Sequence, residues 1–492
     1  MSLLKKFAGE TVIYGLGSIL PRILNFAMTF ILTWILGTRE FGQHGNMYAF
    51  AALILIFFTY GMETALFRFG SKDGQLEKVF STAAISLLVT TIIFTALLWP
   101  FSDAIAVFLE QPDDGRFIQW FVLITAFDAL SSLPFAKLRL ENRPIRFALI
   151  KVLSVVFNII TVLFFLVVCP FLIENGMDWF GAIYDEDKKL DYIFLANLAA
   201  SAGVFLILFR NFFSFKWQFD KQLWLKMITY ALPLIVVGFS GVINRQLDRI
   251  FLTKLLDGDV LIVLEQTGIY HASVKIAVLM SLFITAFNYA AEPFFFKNAN
   301  REDSKPIYAQ IAQAFSVVGS LVFLGIMLYM DLIQHLLGKD FRSGLHIVPV
   351  MLLAYFGLGI FYNFSIWYKL TDRTRIGAYI SVGGALITII VNIIFIPKIG
   401  IVAPAYAALS CYTFMAAVSY LIGKKYYPID YPIGKMFTYI FVAILVFGLS
   451  EIIRPYLGGN IFKILFVNTL LLIGYIGGLY LLEKKTINQM MK

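Results

Sequence analysis

The stretch Ile376–Ile396, IGAYISVGGALITIIVNIIFI, runs for twenty-one residues without a charge. As an α-helix such a run is about 30 Å long, the thickness of the hydrocarbon core of a bilayer. A membrane-spanning β-strand needs only about ten residues and alternates in polarity. This run is too long and too uniformly apolar for that, and Leu190–Phe209, charged only at Asp191, is likewise long and continuous. In lipid, every backbone N–H and C=O must be satisfied within its own segment or in a closed barrel, so both stretches read as helices.

Working outward, apolar runs and polar breaks predict helices at roughly 11–36, 46–67, 79–101, 117–136, 145–172, 191–209 and 224–252, then 267–290, 308–330, 345–368, 376–396, 401–422, 435–452 and 461–482. Pro397, Pro428 and Pro432 mark breaks between them. The expected fold is therefore an all-α integral membrane protein with about 14 transmembrane helices. Composition agrees, since 60% of the 492 residues are hydrophobic and 14% charged, whereas about a quarter are charged in a soluble domain. The first run is too long for a signal peptide and lacks a small-residue cleavage site before 37–46, so it is expected to remain as helix 1. Ahead of it, Leu3, Leu4 and Phe7 beside Lys5 and Lys6 suggest a short interfacial helix.

The net charge is +9, but the basic residues are scattered through short loops and form no patch with interleaved aromatics, which argues against a nucleic-acid partner. Lys and Arg concentrate at the two ends and in the even-numbered connections, as at Arg68, Lys72 and Lys78 or Lys369, Arg373 and Arg375. Basic loops stay on the cytoplasmic side, so both termini are expected there. Acids gather in odd-numbered loops, at Asp103, Glu110, Asp113 and Asp114 and again at Glu174, Asp178, Asp185, Glu186, Asp187 and Asp191. Cys169 and Cys411 lie in separate apolar runs and read as packing residues, with no metal cluster or disulfide framework expected. No cofactor and no catalytic residue is expected.

Short echoes suggest an internal repeat. Tyr14-Gly15-Leu16 in helix 1 is matched by Tyr230-Ala231-Leu232 in helix 7, and helices 2 and 8 each end with an acid five residues before a base, Glu63 to Arg68 and Glu292 to Lys297. Such a repeat gives two six-helix lobes, 1–215 and 216–430, with two added helices in 431–492. Transporters built from repeats carry the substrate path where the repeats meet.

Charge at bilayer depth costs about 2.5–3.5 kcal/mol per group on insertion scales, so each instance calls for a cavity or a partner. Arg22, Glu63, Asp128, Lys151, Arg245, Asp248, Arg249, Lys275 and Glu292 fall within or close to the predicted spans. Arg22 follows Pro21 too deep in helix 1 for easy snorkelling and is expected to face a wet cavity. Arg245, Asp248 and Arg249, bordered by Asn244, are spaced i, i+3 and i+4 and would share one face of helix 7. Asp248 reads equally as the neutralising partner of one arginine, and Lys275 as a snorkelling residue. Glu63 and Glu292 read as partners of Arg68 and Lys297, or else as coupling-ion ligands. Asp128, followed by Ser131, Ser132 and Pro134, either lines a cavity or supports a locally broken helix. If Arg22, Arg245, Arg249 and Lys275 converge, they make a cationic chamber for phosphate or carboxylate, which the planar guanidinium grips with paired hydrogen bonds.

The order of these features resembles the Wzx-like oligosaccharide flippases of the multidrug/oligosaccharidyl-lipid/polysaccharide exporter superfamily. The features are the basic start, Tyr14-Gly15, Leu36-Gly37 with Phe41-Gly42, Gly61-Met62-Glu63 to Arg68-Phe69, Tyr230-Ala231-Leu232-Pro233, Asp248-Arg249 and Gly268-Ile269-Tyr270. The resemblance implies a pair of six-helix lobes that open alternately inward and outward. It also implies an undecaprenyl-diphosphate-linked oligosaccharide as substrate, membrane lipids around it, glycosyltransferases and a polymerase as pathway partners, and the bacterial cytoplasmic membrane as location. It places substrate binding at Arg22, Arg245, Arg249 and Lys275, while Asp248, Asp128, Glu63 and Glu292 stand, on the reading of the residues themselves, as coupling or ion-pair candidates. A lipid II flippase and a drug/cation antiporter of the same fold are the nearer alternatives, though an antiporter would place an acid where helix 1 has Arg22. A membrane polysaccharide polymerase, from another class, would need a larger outer loop with positioned acid and base groups.

Overall fold

The computed structural model describes residues 3–71, 76–110, 115–213, 216–298, 301, 304–371 and 373–490, with the side chains of 3–18, 290, 293, 297 and 485–490 outside that description. The expected interfacial residues Leu3 to Phe7, the Tyr14-Gly15 pair and the loop acids Asp113 and Asp114 therefore lie outside it. Among the described residues there is no strand. Helices α1 (Leu3–Ile35), α2 (Thr38–Thr59), α3 (Met62–Gly70), α4 (Leu76–Leu98), α5 (Ser102–Phe108), α6 (Gly115–Leu140), α7 (Pro144–Leu163), α8 (Cys169–Glu174), α9 (Lys189–Phe212), α10 (Lys221–Gln246) and α11 (Asp248–Leu255) lead into the long α12 (Val260–Lys297). After it come α13 (Ser304–Leu328), α14 (Met330–Ile333), α15 (Val348–Phe364), α16 (Ile366–Leu370), α17 (Thr374–Ile399), α18 (Ala403–Tyr426), α19 (Ile433–Ile453) and α20 (Ile461–Met490).

Local chemistry sets many of these ends. Asp220 caps α10 by accepting from the N–H groups of Gln222 and Leu223 at 2.9 and 3.0 Å, and Asn460 caps α20 through Phe462 N at 3.0 Å. Pro144 and Pro404 sit in the first turns of α7 and α18, where a missing N–H costs nothing. Gly400, at φ 64°, turns α17 into α18 through a backbone conformation that other residues resist.

Twelve helical stretches among the described residues are long and apolar enough to cross a membrane, and Ile19–Ile35 is a shorter apolar helix. The expected fourteen is a finer division of the same chain. It extends that short helix into a full span and splits Thr374–Tyr426 into α17 and α18. The most apolar stretch, Pro144–Glu174, is also the least buried of the twelve, while the less apolar Gly115–Leu140 is the most buried. That inversion of the soluble rule is what a lipid surround produces, and the chain is a multi-pass helical membrane protein.

The chain divides into two compact units, Met1–Gly268 and Ile269–Lys492. In the first, α6 is the inner helix. Phe117 and Phe121 on it each meet Phe194 of α9 edge-on with ring centroids 4.9 Å apart. In the second, α15 packs on α13 and α18. A Cβ at Gly359 would come within 2.0 Å of the Phe315 ring, so only glycine lets α15 approach α13 this closely. Helices α19 and α20 are fastened to α13 by polar side chains at two levels. At one, Glu483 accepts from Gln313 Nε2 at 2.7 Å, Tyr439 Oη at 2.5 Å and Lys435 Nζ at 3.2 Å. At the other, Asn468 donates to Leu328 O and accepts from Ser450 Oγ, both at 2.6 Å.

Candidate functional site

Two spanning stretches are interrupted where sequence periodicity predicts continuous helices. Helix 2, expected over 46–67, begins earlier at Thr38 and stops at Thr59, because Tyr60 and Gly61 both turn left-handed, with φ 32° and 73°. Tyr60 is held there by a 2.8 Å hydrogen bond between its hydroxyl and Ser86 Oγ. A Cβ at Gly61 would sit 3.3 Å from Ala231 O, so lacking a side chain serves both the turn and the contact. Helix 7, expected over 224–252, ends as α10 at Gln246 and restarts as α11 at Asp248. Interrupted helices at membrane depth persist only where protein or a wet cavity satisfies the freed backbone, and transporters bind substrate and ions at such breaks.

Around this second interruption the charges expected to share a face differ in exposure. Arg245 is exposed and donates through Nε to Gly241 O at 3.0 Å. Arg249, one residue past the break in α11, is only 6% exposed. Its Nη1 donates to Gln246 Oε1 at 2.9 Å, and its backbone N–H to Asp248 Oδ1 at 3.0 Å. The Asp248 carboxylate thus bonds the backbone at the start of α11. Arg22 is exposed on α1, so the first unit holds Arg22, Arg245 and Arg249. Lys275 is half-buried on α12 within the second unit.

Asp128 on α6 and Lys151 on α7 both keep exposed side chains on helices that pack against each other. Ser201 of α9 hydrogen-bonds Asp128, Lys151 lies within electrostatic reach of both Asp128 and Glu63, and the Lys151 ammonium sits 4.2 Å from the centroid of Phe135. Glu63 pairs with Arg139 of α6 at 3.6 Å, not with Arg68, whose guanidinium lies 4.6 Å from the Tyr230 centroid. Glu292 likewise pairs with Lys369 at 2.7 Å, and the side chain of its expected partner Lys297 lies outside the description. The reason is geometric: helical neighbours are three or four residues apart, and a five-residue spacing turns the two side chains away from each other.

Sequence reasoning that follows charges passes over the neutral polar groups of this region. Asn197 Nδ2 donates to Tyr48 Oη at 2.7 Å, and Asn46 Nδ2 to Thr253 Oγ1 at 2.8 Å. The available signal was an amide or hydroxyl inside an apolar run, which in lipid needs a partner as a charge does. Among the described residues no group of His, Cys, Asp and Glu is arranged to hold a metal ion, and Cys169 and Cys411 are buried free thiols.

Interrupted spanning helices that carry charges, in a chain of two helical units, place the protein among multi-pass helical membrane proteins whose charged spans call for partners or a use. A family model described as polysaccharide biosynthesis protein matches residues 7–299, more than half of the chain, and the chain belongs to that family. A protein of the Lsg locus of Haemophilus influenzae is 23% identical over 297 residues, covering 58% of this chain and 65% of that relative, just under two thirds of its length. The solved structure of the lipid II flippase MurJ in an inward closed conformation is similar with a TM-score of 0.71 at 14% identity, covering 97% of this chain and 100% of that one. An inward-facing multidrug resistance MATE transporter of the MOP superfamily is similar at a TM-score of 0.64 and 13% identity, covering 84% and 97%. These two solved structures share the fold, and neither is an enzyme.

Proposed function

We propose that this protein moves an undecaprenyl-diphosphate-linked oligosaccharide across the bacterial cytoplasmic membrane for surface polysaccharide synthesis, by alternating access between six-helix lobes at 1–215 and 216–430. The reading is carried by one observation: a chain of the polysaccharide biosynthesis family presents exposed guanidinium groups at Arg22, on the apolar helix α1, and at Arg245, at the end of the span Lys221–Gln246. A diphosphate is the charged part of such a substrate and pays most to enter hydrocarbon. Cations in a low-dielectric recess replace its lost hydration, and the lipid tail stays in the bilayer. Arg22, Arg245, Arg249 and Lys275 are assigned to that headgroup. Asp128, with Lys151 and Glu63 near it, is assigned to ion coupling, and Glu292 and Asp248 to pairing and helix-end support. The same charges would repel a cationic drug, which sets this reading apart from an antiporter.

The test is reconstitution with defined lipid-linked oligosaccharides and a leaflet-accessibility assay, with and without ion gradients. Movement of the oligosaccharide-diphosphate lipid is the expected result, and movement of lipid II alone, or of neither, rejects it. In cells, Arg22→Ala should abolish surface polysaccharide while the protein still accumulates, and Arg22→Lys should restore part, because an ammonium keeps the charge but not the paired hydrogen bonds.

A further inference from the structure

In the second unit the short α16 is wedged between the start of α17 and the end of α18. A Cβ at Gly377 of α17 would lie 2.7 Å from the Tyr368 ring, and one at Gly423 of α18 would lie 2.7 Å from the Trp367 ring. Each glycine thus seats one ring of the wedge. Trp367 is 2% exposed and donates through Nε1 to Ser419 O at 3.0 Å, while the Arg373 N–H donates to Tyr368 O at 2.8 Å. The turn from α16 into α17 is fixed from both sides.

Cations are stacked on this wedge. Tyr426 lies on Trp367 with ring centroids 5.8 Å apart and planes 16° from parallel. The Arg373 guanidinium sits 3.9 Å from the Tyr426 centroid and the Lys425 ammonium 5.9 Å from it, so one ring positions both. Arg375 and Lys424, close to them in sequence, are exposed as well. Cations at other helix ends are matched by acids: Lys78 by Asp220, Lys137 by Glu77, Arg139 by Glu63, and Lys369, one turn before Arg373, by Glu292. Among the described residues Arg373, Arg375, Lys424 and Lys425 have no such partner.

Apolar side chains follow one turn deeper. Helices α17 and α18 form a hairpin around Gly400, which brings the start of one and the end of the other to the same membrane level. Arg375 and Tyr379 share a face of α17, as Lys425 and Leu421 share a face of α18, each pair separated by about 6 Å of helix. Tyr379 is 72% exposed and Leu421 65%. We propose that this corner of the second unit binds the headgroup of an anionic phospholipid, its phosphate against Arg373 and Lys425 and its acyl chains along Tyr379 and Leu421. The layering argues for the lipid form of the phosphate: a free anion has no use for the exposed apolar side chains, and a zwitterionic headgroup brings a further cation to a place that already holds four. The site is independent of what the protein transports.

The test uses the full chain, delipidated in an uncharged detergent, with lipid binding read by native mass spectrometry and by the rise in melting temperature on adding lipid. Dioleoyl phosphatidylglycerol should bind about tenfold more tightly than dioleoyl phosphatidylcholine, which carries the same chains, and the melting-temperature effect should shrink as salt rises. The Arg373→Gln/Lys425→Gln protein should lose about tenfold in affinity for phosphatidylglycerol. Arg143→Gln, which removes a cation already paired with Glu141 at 3.2 Å, should leave that affinity unchanged. Equal binding of the two lipids, or unchanged affinity in the double variant, overturns the site.

Tyr426→Leu keeps an apolar cover on Trp367 and all four charges but removes the ring beneath Arg373. Affinity for phosphatidylglycerol should fall about threefold, with the melting temperature in the absence of lipid checking that the variant is folded. Unchanged affinity there overturns the role of the stacked guanidinium. Inorganic phosphate and glycerol phosphate serve as soluble probes and should not displace the lipid at equal concentration. If either does so in the unsubstituted protein and not in the double variant, the anion site stands and the phospholipid is overturned as its occupant.

Discussion

The first unit leaves several charged side chains exposed on its helices, whereas the second ties α13, α19 and α20 together with a buried polar network. Asp128, Lys151 and Arg245 are exposed on spanning helices of the first unit, and Arg22 is exposed on the shorter apolar helix ahead of them. In the second, Glu483 is 7% exposed and accepts hydrogen bonds from three side chains on α13 and α19, and the buried Tyr475 donates to Tyr439 O at 2.8 Å. Polar groups in lipid are expensive in either form. Where they are mutually satisfied they hold helices together, and where they stand exposed they are free for another use. The contrast separates scaffolding polarity from working polarity without reference to substrate.

The sharpest break in that comparison would come from Glu483→Ala. Removing the carboxylate leaves buried groups on Gln313 and Tyr439 short of a partner, at a cost of about 1–3 kcal/mol. Thermal stability in detergent should drop clearly, and α19 and α20 should loosen, seen as faster hydrogen exchange at Ile433–Ile453. An unchanged melting temperature would show that the network is not structural. The converse substitution, Arg245→Ala, should leave the melting temperature alone and slow transport about tenfold, equivalent to about 1.4 kcal/mol. A loss of stability there would make both units alike.

A smaller effect is expected at Asn468→Ala. Its bonds to Ser450 and Leu328 O are buried, but interhelical hydrogen bonds in membranes average only about 0.6 kcal/mol in measured cycles. A small drop in melting temperature with normal transport fits scaffolding. Transport loss without destabilisation would move working polarity into the second unit.

Much of the fold was legible because lipid enforces a simple rule: long apolar runs such as Ile376–Ile396 must be helices, and α17 spans Thr374–Ile399. The site was less legible. The charged residues announced themselves, but their surroundings depend on two helix interruptions that hydropathy does not register. Tyr60 adopts its left-handed turn through a contact with Ser86 on another helix, information absent from the local sequence. Helical spacing likewise gave no sign that Arg245 would be exposed and Arg249 buried. Partner choice failed for the same reason. Glu63 and Glu292 found Arg139 and Lys369, 76 and 77 positions away in sequence, since packing rather than proximity along the chain decides which charges meet.

The smallest effect tests charge outside the membrane, at Asp220. Its carboxyl is held below the usual carboxylate range, first by the Lys78 ammonium 2.6 Å away and then by the backbone N–H groups at the start of α10. A depressed pKa means that the carboxylate stabilises the fold at pH values above its unfolded pKa, and that the contribution is lost as pH falls through the folded one. Asn at this position keeps an acceptor oxygen for the cap but loses the charge. Asp220→Asn should therefore lower the melting temperature slightly at neutral pH, and the difference from the unsubstituted protein should close as the pH falls below the usual carboxylate range. A gap constant across that range would mean that cap geometry rather than the Lys78 pair is what the carboxylate supplies. Because both partners are solvated, the gap should also shrink in high salt, which the buried Glu483 network should not do.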